Sequence, residues 1–170
     1  MVAGDAYTER CPETIGRLAI GGAIAAPSSA VRAVGARGAS VPAIPEELAY
    51  LLRTNVLAHV SLTEADGSLV THVMWVDYDG QHILTSSPTA SYKSRALRRR
   101  PTIALSVVDP TNPWRRLSIS GRVTEIRDDE GLAFINMLLG RYVGAPYPRS
   151  TPREIFVITP HRVRAFMGRG

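Results

Sequence analysis

From Arg116 to Val123 the chain alternates without a break. Leu117, Ile119, Gly121 and Val123 fall in one register, and Arg116, Ser118, Ser120 and Arg122 in the other. A side-chain period of two belongs to an extended strand with one face buried; a helix would scatter the same apolar residues around its circumference. The pattern returns in Val56, Ala58, Val60 and Leu62, and in Ile103, Leu105 and Val107 of a strand over Thr102 to Val108. Asp66-Gly67 and Asp79-Gly80 are turn dipeptides, so Leu69 to Tyr78 reads as a second strand and Gln81 to Ser86 as a third, joined by a tight hairpin. Gly121, inside the fifth strand, points to a bulge or a close backbone approach. Glu154 to Ile158 and Arg162 to Phe166 read as two last strands joined at Thr159-Pro160.

Helices fill the gaps. Pro42 and Pro45 open one at Glu46 to Leu52, with Glu46 and Glu47 placed to favour the positive end of the helix dipole. A basic helix follows the third strand and stops before Pro101, because the residue preceding a proline is driven out of the helical region. Asp128 is placed to cap a third, with Leu132, Ile135, Leu139 and Tyr142 at helical spacing and Pro146, Pro148 and Pro152 breaking it. The order is helix, three strands, helix, two strands, helix, two strands. It suits a mainly β (α+β) fold, a small antiparallel β-barrel with helices over its openings.

Length and composition set the outer bounds. A chain of 170 residues with 45% hydrophobic and 21% charged residues can bury the core of one soluble domain. Cys11 is alone, so an intrachain disulfide is excluded, which fits a reducing compartment such as the cytoplasm. No apolar run reaches the roughly 18 residues of a membrane span. Residues 1–40 are rich in Ala, Gly and Ser and read as a flexible extension ahead of a domain over 41–170. Leu18 to Val31 resembles a weak signal-peptide core, but Asp5, Glu9 and Glu13 stand where positive charge belongs, and its glycines and Pro27 disfavour a helix.

The charge is local. Lys93 is the only lysine among 20 basic residues, and Ser91 to Arg100 holds five of them with no acid, as much as the net +5 of the whole chain. Such a concentration favours an anionic partner. The familiar phosphate-loop, nucleophile-elbow and zinc-protease signatures are absent from the sequence. His59, His72, His82 and His161 lie apart without ligand spacing, so no metal site is expected. Three elements remain: the hydroxyls of Thr85, Ser86 and Ser87 at a strand end, the basic helix with Lys93, and Trp114-Arg115-Arg116. Hydroxyls, amides and cations converging are what a phosphate needs. Trp75, in the apolar run Val73-Met74-Trp75-Val76, either lines the flat part of such a ligand or packs into the core.

The run Gly67 to Val76, then Asp79-Gly80, Thr85-Ser86-Ser87, Ser91-Tyr92-Lys93-Ser94-Arg95-Ala96-Leu97-Arg98-Arg99-Arg100-Pro101 and Ser120-Gly121-Arg122-Val123, resembles the pyridoxamine 5′-phosphate oxidase-like split-barrel superfamily. More narrowly it resembles the flavin- and deazaflavin-dependent oxidoreductases that use FMN or coenzyme F420. The resemblance spans about residues 44–167. It implies a homodimer of six- to seven-stranded split barrels with a cofactor in each groove between subunits. It also implies that Ser86, Ser87 and Lys93 hold the cofactor's phosphate, with Ser91 where an arginine is common; Thr85 and Arg99 are counted with them as cofactor-binding residues. Met74 and Trp75 would back the ring, and Trp114 and Arg116 would reach it from the loop between the fourth and fifth strands. Ala96 stands in place of an asparagine and Arg100 in place of an aspartate. After Phe166 there is no arginine-containing substrate segment, so oxidation of vitamin B6 is not expected.

The resemblance implies a hydride-transferring oxidoreductase acting on a small organic substrate. The cofactor carries the chemistry, so no catalytic side chain is required. F420 is favoured because Arg95, Arg98 and Arg99 could accommodate its carboxylate tail, with FMN as the alternative. A non-enzymatic carrier or sensor would use the same pocket. Nucleic acid is not an expected partner: aromatics are 6% of the chain and Tyr92 is the only one inside the basic segment, whereas strand-binding grooves interleave the two.

Overall fold

Pro45 sets the first element of the computed structural model, which describes residues 42–168. Helix α1, Glu46–Arg53, buries Leu48, Ala49, Leu51 and Leu52 on one stripe and leaves its two glutamates at the first turn. Strands β1, Ala58–Thr63, and β2, Leu69–Met74, form a hairpin around Gly67, whose φ of 94° suits glycine. Strand β3, Val76–Tyr78, and β4, Ile83–Pro88, form the next. Helix α2, Tyr92–Arg99, leads to β5, Thr102–Val108, and β6, Arg115–Asp128. A 3-10 turn at Glu130–Leu132, helix α3 at Ala133–Tyr142 and strand β7 at Arg153–Met167 complete the described chain. The expected extension over 1–40 lies outside the described residues.

The seven strands form one antiparallel sheet in the order β2-β1-β5-β6-β7-β4-β3. Its two edge strands, β2 and β3, are neighbours in sequence and are separated by Trp75 alone. The chain passes from one edge of the sheet to the other at that residue, so the barrel is split there, joined by one residue rather than a ladder. This corrects the expectation of one strand from Leu69 to Tyr78. Met74 ends the pairing with β1, opposite Ala58, and Val76 begins the pairing with β4, opposite Thr85.

A second correction runs the other way. The two last strands expected on either side of Thr159-Pro160 are one strand of 15 residues. Pro160 is tolerated because it faces Gly121 where the β6–β7 register shifts, so its missing N–H falls at an irregularity. Gly121 has the role its position suggested: a Cβ there would come within 2.8 Å of Ile158 Cγ2 and 3.0 Å of the Thr159 carbonyl oxygen. The third helix is capped by Asp129 rather than Asp128. Its carboxylate accepts the backbone N–H groups of Phe134, at 2.8 Å, and Ile135, at 3.0 Å. Asp128 stays in β6, paired with Glu154.

The core is the barrel interior, filled by Val60, Leu62, Ile83, Leu105, Leu117, Ile119, Phe156 and Ile158. Burying such side chains is worth about 1.5–3 kcal/mol each before the entropy of ordering the chain is set against it. Helix α1 packs against β3, β5 and β6 and α2 against β1 and β4, covering the two ends. Among the described residues no helix is long and apolar enough to cross a membrane.

Candidate functional site

The hydroxyl-rich turn between β4 and α2 is used mainly to build itself. Ser87 is fully buried and its Oγ shares a hydrogen bond of 2.8 Å with Ser91 Oγ. Ser91 caps α2 by accepting the Ser94 N–H at 3.1 Å, and Ser94 Oγ donates to the Pro88 carbonyl at 2.8 Å. Thr85, also buried, donates its hydroxyl to the Trp75 carbonyl at 2.9 Å and so fastens the split of the barrel. In this structure the hydroxyls of Thr85, Ser87 and Ser91 bond within the fold and position the elements that carry the site.

Ser86 is different, because strand alternation turns it away from the interior that Thr85 and Ser87 face. Its Oγ accepts a hydrogen bond from Arg153 Nε at 3.0 Å. Together Ser86, Arg153 and Lys93 line a cleft of about 200 Å³ with Met74, Trp75, Ile135 and Leu138. No carboxylate lines it, and among the described residues Lys93 has no ion-pair partner. Burial lowers the Lys93 pKa from its ordinary value, and the positive charge of Arg153 lowers it further. Two cations and a hydroxyl thus converge without a counter-charge, which is the electrostatic signature of an anion site.

Beside them stands Trp75, half-buried and stacked on Tyr142 with ring centroids 5.6 Å apart and planes inclined by 24°. Tyr142 is held in turn by its hydroxyl, which donates to the Val56 carbonyl at 2.9 Å. Trp75 therefore belongs neither to the core nor to a free surface; it is a fixed wall of the cleft.

Three expected residues are not brought there. Arg99 lies on the far side of α2, in a separate groove with Arg95, Glu64 and Tyr92. Trp114 and Arg116 sit at the opposite end of β6, paired with the last residues of β7. Trp114 is 59% exposed, and the Arg116 guanidinium stacks 4.4 Å from the Phe166 ring. Along the strand they are roughly 35 Å from the row that carries Ser86, at about 3.3 Å per residue. Arg98 is also committed elsewhere, in an ion pair with the buried Glu154. Arg100 reaches back to the Ala65 carbonyl at 3.3 Å.

Sequence reasoning missed Arg153. It is 67 residues from Ser86 and enters the cleft only because β4 pairs with β7, Pro88 opposite Arg153 and Ser86 opposite Ile155. Ile135 and Leu138 of α3 were missed for the same reason. A helical stripe shows that they are buried but not what they border.

A family profile described as pyridoxamine 5′-phosphate oxidase matches residues 44–167, nearly the whole described domain. The chain belongs to the pyridoxamine 5′-phosphate oxidase family. Among solved structures, one named F420 reductase is 31% identical, with a TM-score of 0.66 over 71% of this chain and 98% of that one. A conserved hypothetical protein from Mycobacterium tuberculosis is 23% identical, with a TM-score of 0.59 over 78% and 89% of the two chains. General Stress Protein 26 from Bacillus anthracis is 13% identical, with a TM-score of 0.55 over 71% and 92%. The last two share the fold alone. Comparison with curated protein sequences returned no significant match.

Proposed function

We propose that the protein is an oxidoreductase that binds a phosphate-bearing flavin-type cofactor in the cleft of Ser86, Lys93 and Arg153, with F420 favoured and FMN the alternative. The observation that carries this reading is the juxtaposition of Lys93 and Arg153 with no acid between them. Holding like charges together in a partly desolvated cleft is unfavourable until an anion joins them. A phosphate would accept from both cations and from the Ser86 hydroxyl. The indole of Trp75 and the side chain of Met74 would back the flat ring. Bound there, such a cofactor supplies hydride transfer; the chain's own residues anchor it, orient it and shield one side from water.

Membership of a flavin-binding family and 31% identity to a chain named F420 reductase support the cofactor class. The electrostatic argument for F420 narrows, since Arg98 is bound to Glu154 and Arg95 already donates to the Ala90 carbonyl at 2.6 Å, which leaves Arg99 and the remaining N–H groups of Arg95 in the groove beside α2 for a carboxylate tail. The exposed Trp114, with Arg116, supports a homodimer in which that end of one subunit approaches the cleft of the other.

Titration of the purified chain with F420, FMN and riboflavin tests the reading. We expect the two phosphorylated cofactors to bind and riboflavin to bind far more weakly. Reduced cofactor should then turn over with a panel of quinones and enones. Equal affinity for riboflavin and FMN would remove the anion site. Tight binding without turnover on any acceptor would leave a carrier or sensor.

A further inference from the structure

On the other side of Trp75 lies a second depression, of about 450 Å³, formed by the end of α3 and the loop that follows it. Its walls are Trp75, Leu139, Val143, Pro146 and Tyr147, and its only charged lining residue is Arg149. The cleft of Ser86 is polar and cationic; this groove is apolar except at one rim.

The groove is built before any ligand arrives. Tyr147 is anchored twice: its backbone N–H donates to Asn136 Oδ1 at 2.7 Å, and its hydroxyl accepts from Arg153 Nη1 at 2.8 Å. Gly144, at a φ of 77°, turns the chain out of α3 and donates to the Leu139 carbonyl at 3.0 Å. Pro146 and Pro148 stiffen the loop between them. Trp75 is fixed by its stack on Tyr142. A preformed wall loses little entropy on binding. Val143 is nonetheless 61% exposed, an apolar side chain left uncovered at the lip.

We infer that this groove binds a flat, apolar ring compound carrying one negatively charged substituent, the rings against Trp75 and Val143 and the charge toward Arg149. The volume lies in the range of small-molecule sites and suits a molecule of two or three rings. Charge complementarity selects an acid, because Arg149 is the sole ionic group at the rim and the Tyr147 hydroxyl is already engaged by Arg153. As the substrate side of the reaction, the assignment rests on the proposed cofactor cleft, with which the groove shares the Trp75 wall. As a binding site it stands alone.

The test uses the full chain and two dyes of one skeleton, anilinonaphthalene sulfonate and its uncharged analogue N-phenyl-1-naphthylamine. We expect one sulfonate dye per chain, with affinity changed less than about twofold when the protein is saturated with FMN. Arg149→Glu should weaken the sulfonate dye roughly threefold to tenfold and leave the neutral dye unchanged, the size of one exposed charge contact. Val143→Glu should weaken both by roughly tenfold or more, since it puts a carboxylate in the apolar lip. Displacement of the dye by FMN or riboflavin would give the groove to the cofactor's ring and overturn the inference. So would unchanged affinity in both variants. A dimer that binds no dye, and that Val143→Glu converts to monomers, would give the groove to a second copy and overturn it too. Lys93→Ala separates the two proposals: it should weaken FMN and leave the dye alone. FMN binding indifferent to that change would sink the cofactor reading while the groove stood.

Discussion

Arg98 of α2 and Glu154 of β7 form an ion pair in which the carboxylate side chain is 1% exposed and the guanidinium side chain 44%. The same two elements carry Lys93 and Arg153. On a helix, five residues turn the side chain by about 140°, so Lys93 and Arg98 face different ways. On a strand, adjacent residues face opposite sides, so Arg153 and Glu154 do as well. The attractive pair on the interior side therefore holds together the two elements whose outward cations repel. The second oxygen of Glu154 has no hydrogen-bond partner among the described residues.

Breaking that pair from the arginine side should cost more than replacing it. Arg98→Met leaves a carboxylate buried and uncompensated, and we expect about 2–3 kcal/mol of destabilisation, below the 3–5 kcal/mol of a fully buried pair because Arg98 is partly in water. Adding Glu154→Leu should restore most of the loss. Urea midpoints of the wild type, the single and the double variant decide this; equal instability of single and double would mean that the pair does not bear the load.

Lys93→Ala should weaken FMN or F420 by about 1.5–3 kcal/mol while leaving riboflavin and the folding midpoint unchanged. Because burial and Arg153 lower the Lys93 pKa, the phosphate preference should fade at a lower alkaline pH than an ordinary lysine would allow. Affinity for FMN against riboflavin, measured across pH, checks both statements.

Gly121→Ala should destabilise the barrel by about 1–3 kcal/mol. The new methyl meets Ile158 Cγ2 and the Thr159 carbonyl oxygen, and the latter is backbone of the neighbouring strand and cannot swing aside. Thermal unfolding measures it, and hydrogen exchange should show the loosening concentrated along β6 and β7. An unchanged midpoint would mean that the two strands separate there without cost.

The Tyr50–Asp109 contact should shape the pH dependence of stability at both ends. The hydrogen bond from Tyr50, with those from Thr111, holds the Asp109 carboxyl down to about 2, below its ordinary 3.8. The Tyr50 phenol is raised in turn, chiefly by the same bond. A depressed carboxyl stabilises the fold above its unfolded pKa and loses that contribution as pH falls, here between 3.8 and about 2. A raised phenol stabilises below its unfolded pKa and loses the contribution as pH rises through the folded one. Asp109→Asn should flatten the acid limb of urea midpoints in that window, and Tyr50→Phe should flatten both limbs. An unaltered acid limb in Asp109→Asn would show that other carboxylates set it.

Local periodicity carried most of the architecture. The alternation around Leu117 and Ile119, the Asp-Gly turns and the stop before Pro101 are all encoded within a few residues of where they act, because backbone geometry repeats every two residues in a strand and every 3.6 in a helix. Lys93 stood out for the same reason, as a cation in a helix start next to a strand end. Ser86, Ser87 and Ser91 could not be told apart until the sheet assigned faces to β4 and a cap to α2.

The rest depends on partners far apart in the chain. Trp75 lies between the end of one edge strand and the start of the other, a fact invisible in the apolar run Val73 to Val76, since either continuation satisfies the same hydrophobic pattern. Pro160 broke a strand on paper and not in space because the bulge opposite Gly121 absorbs its missing donor. Arg153 reached Ser86 across 67 residues through the β4–β7 ladder, while Trp114 and Arg116, equally basic and aromatic in print, were carried to the far end of β6. Hydrophobic pattern selects what is buried; only closure of the sheet, which pairs distant segments in one register, selects which exposed charges meet.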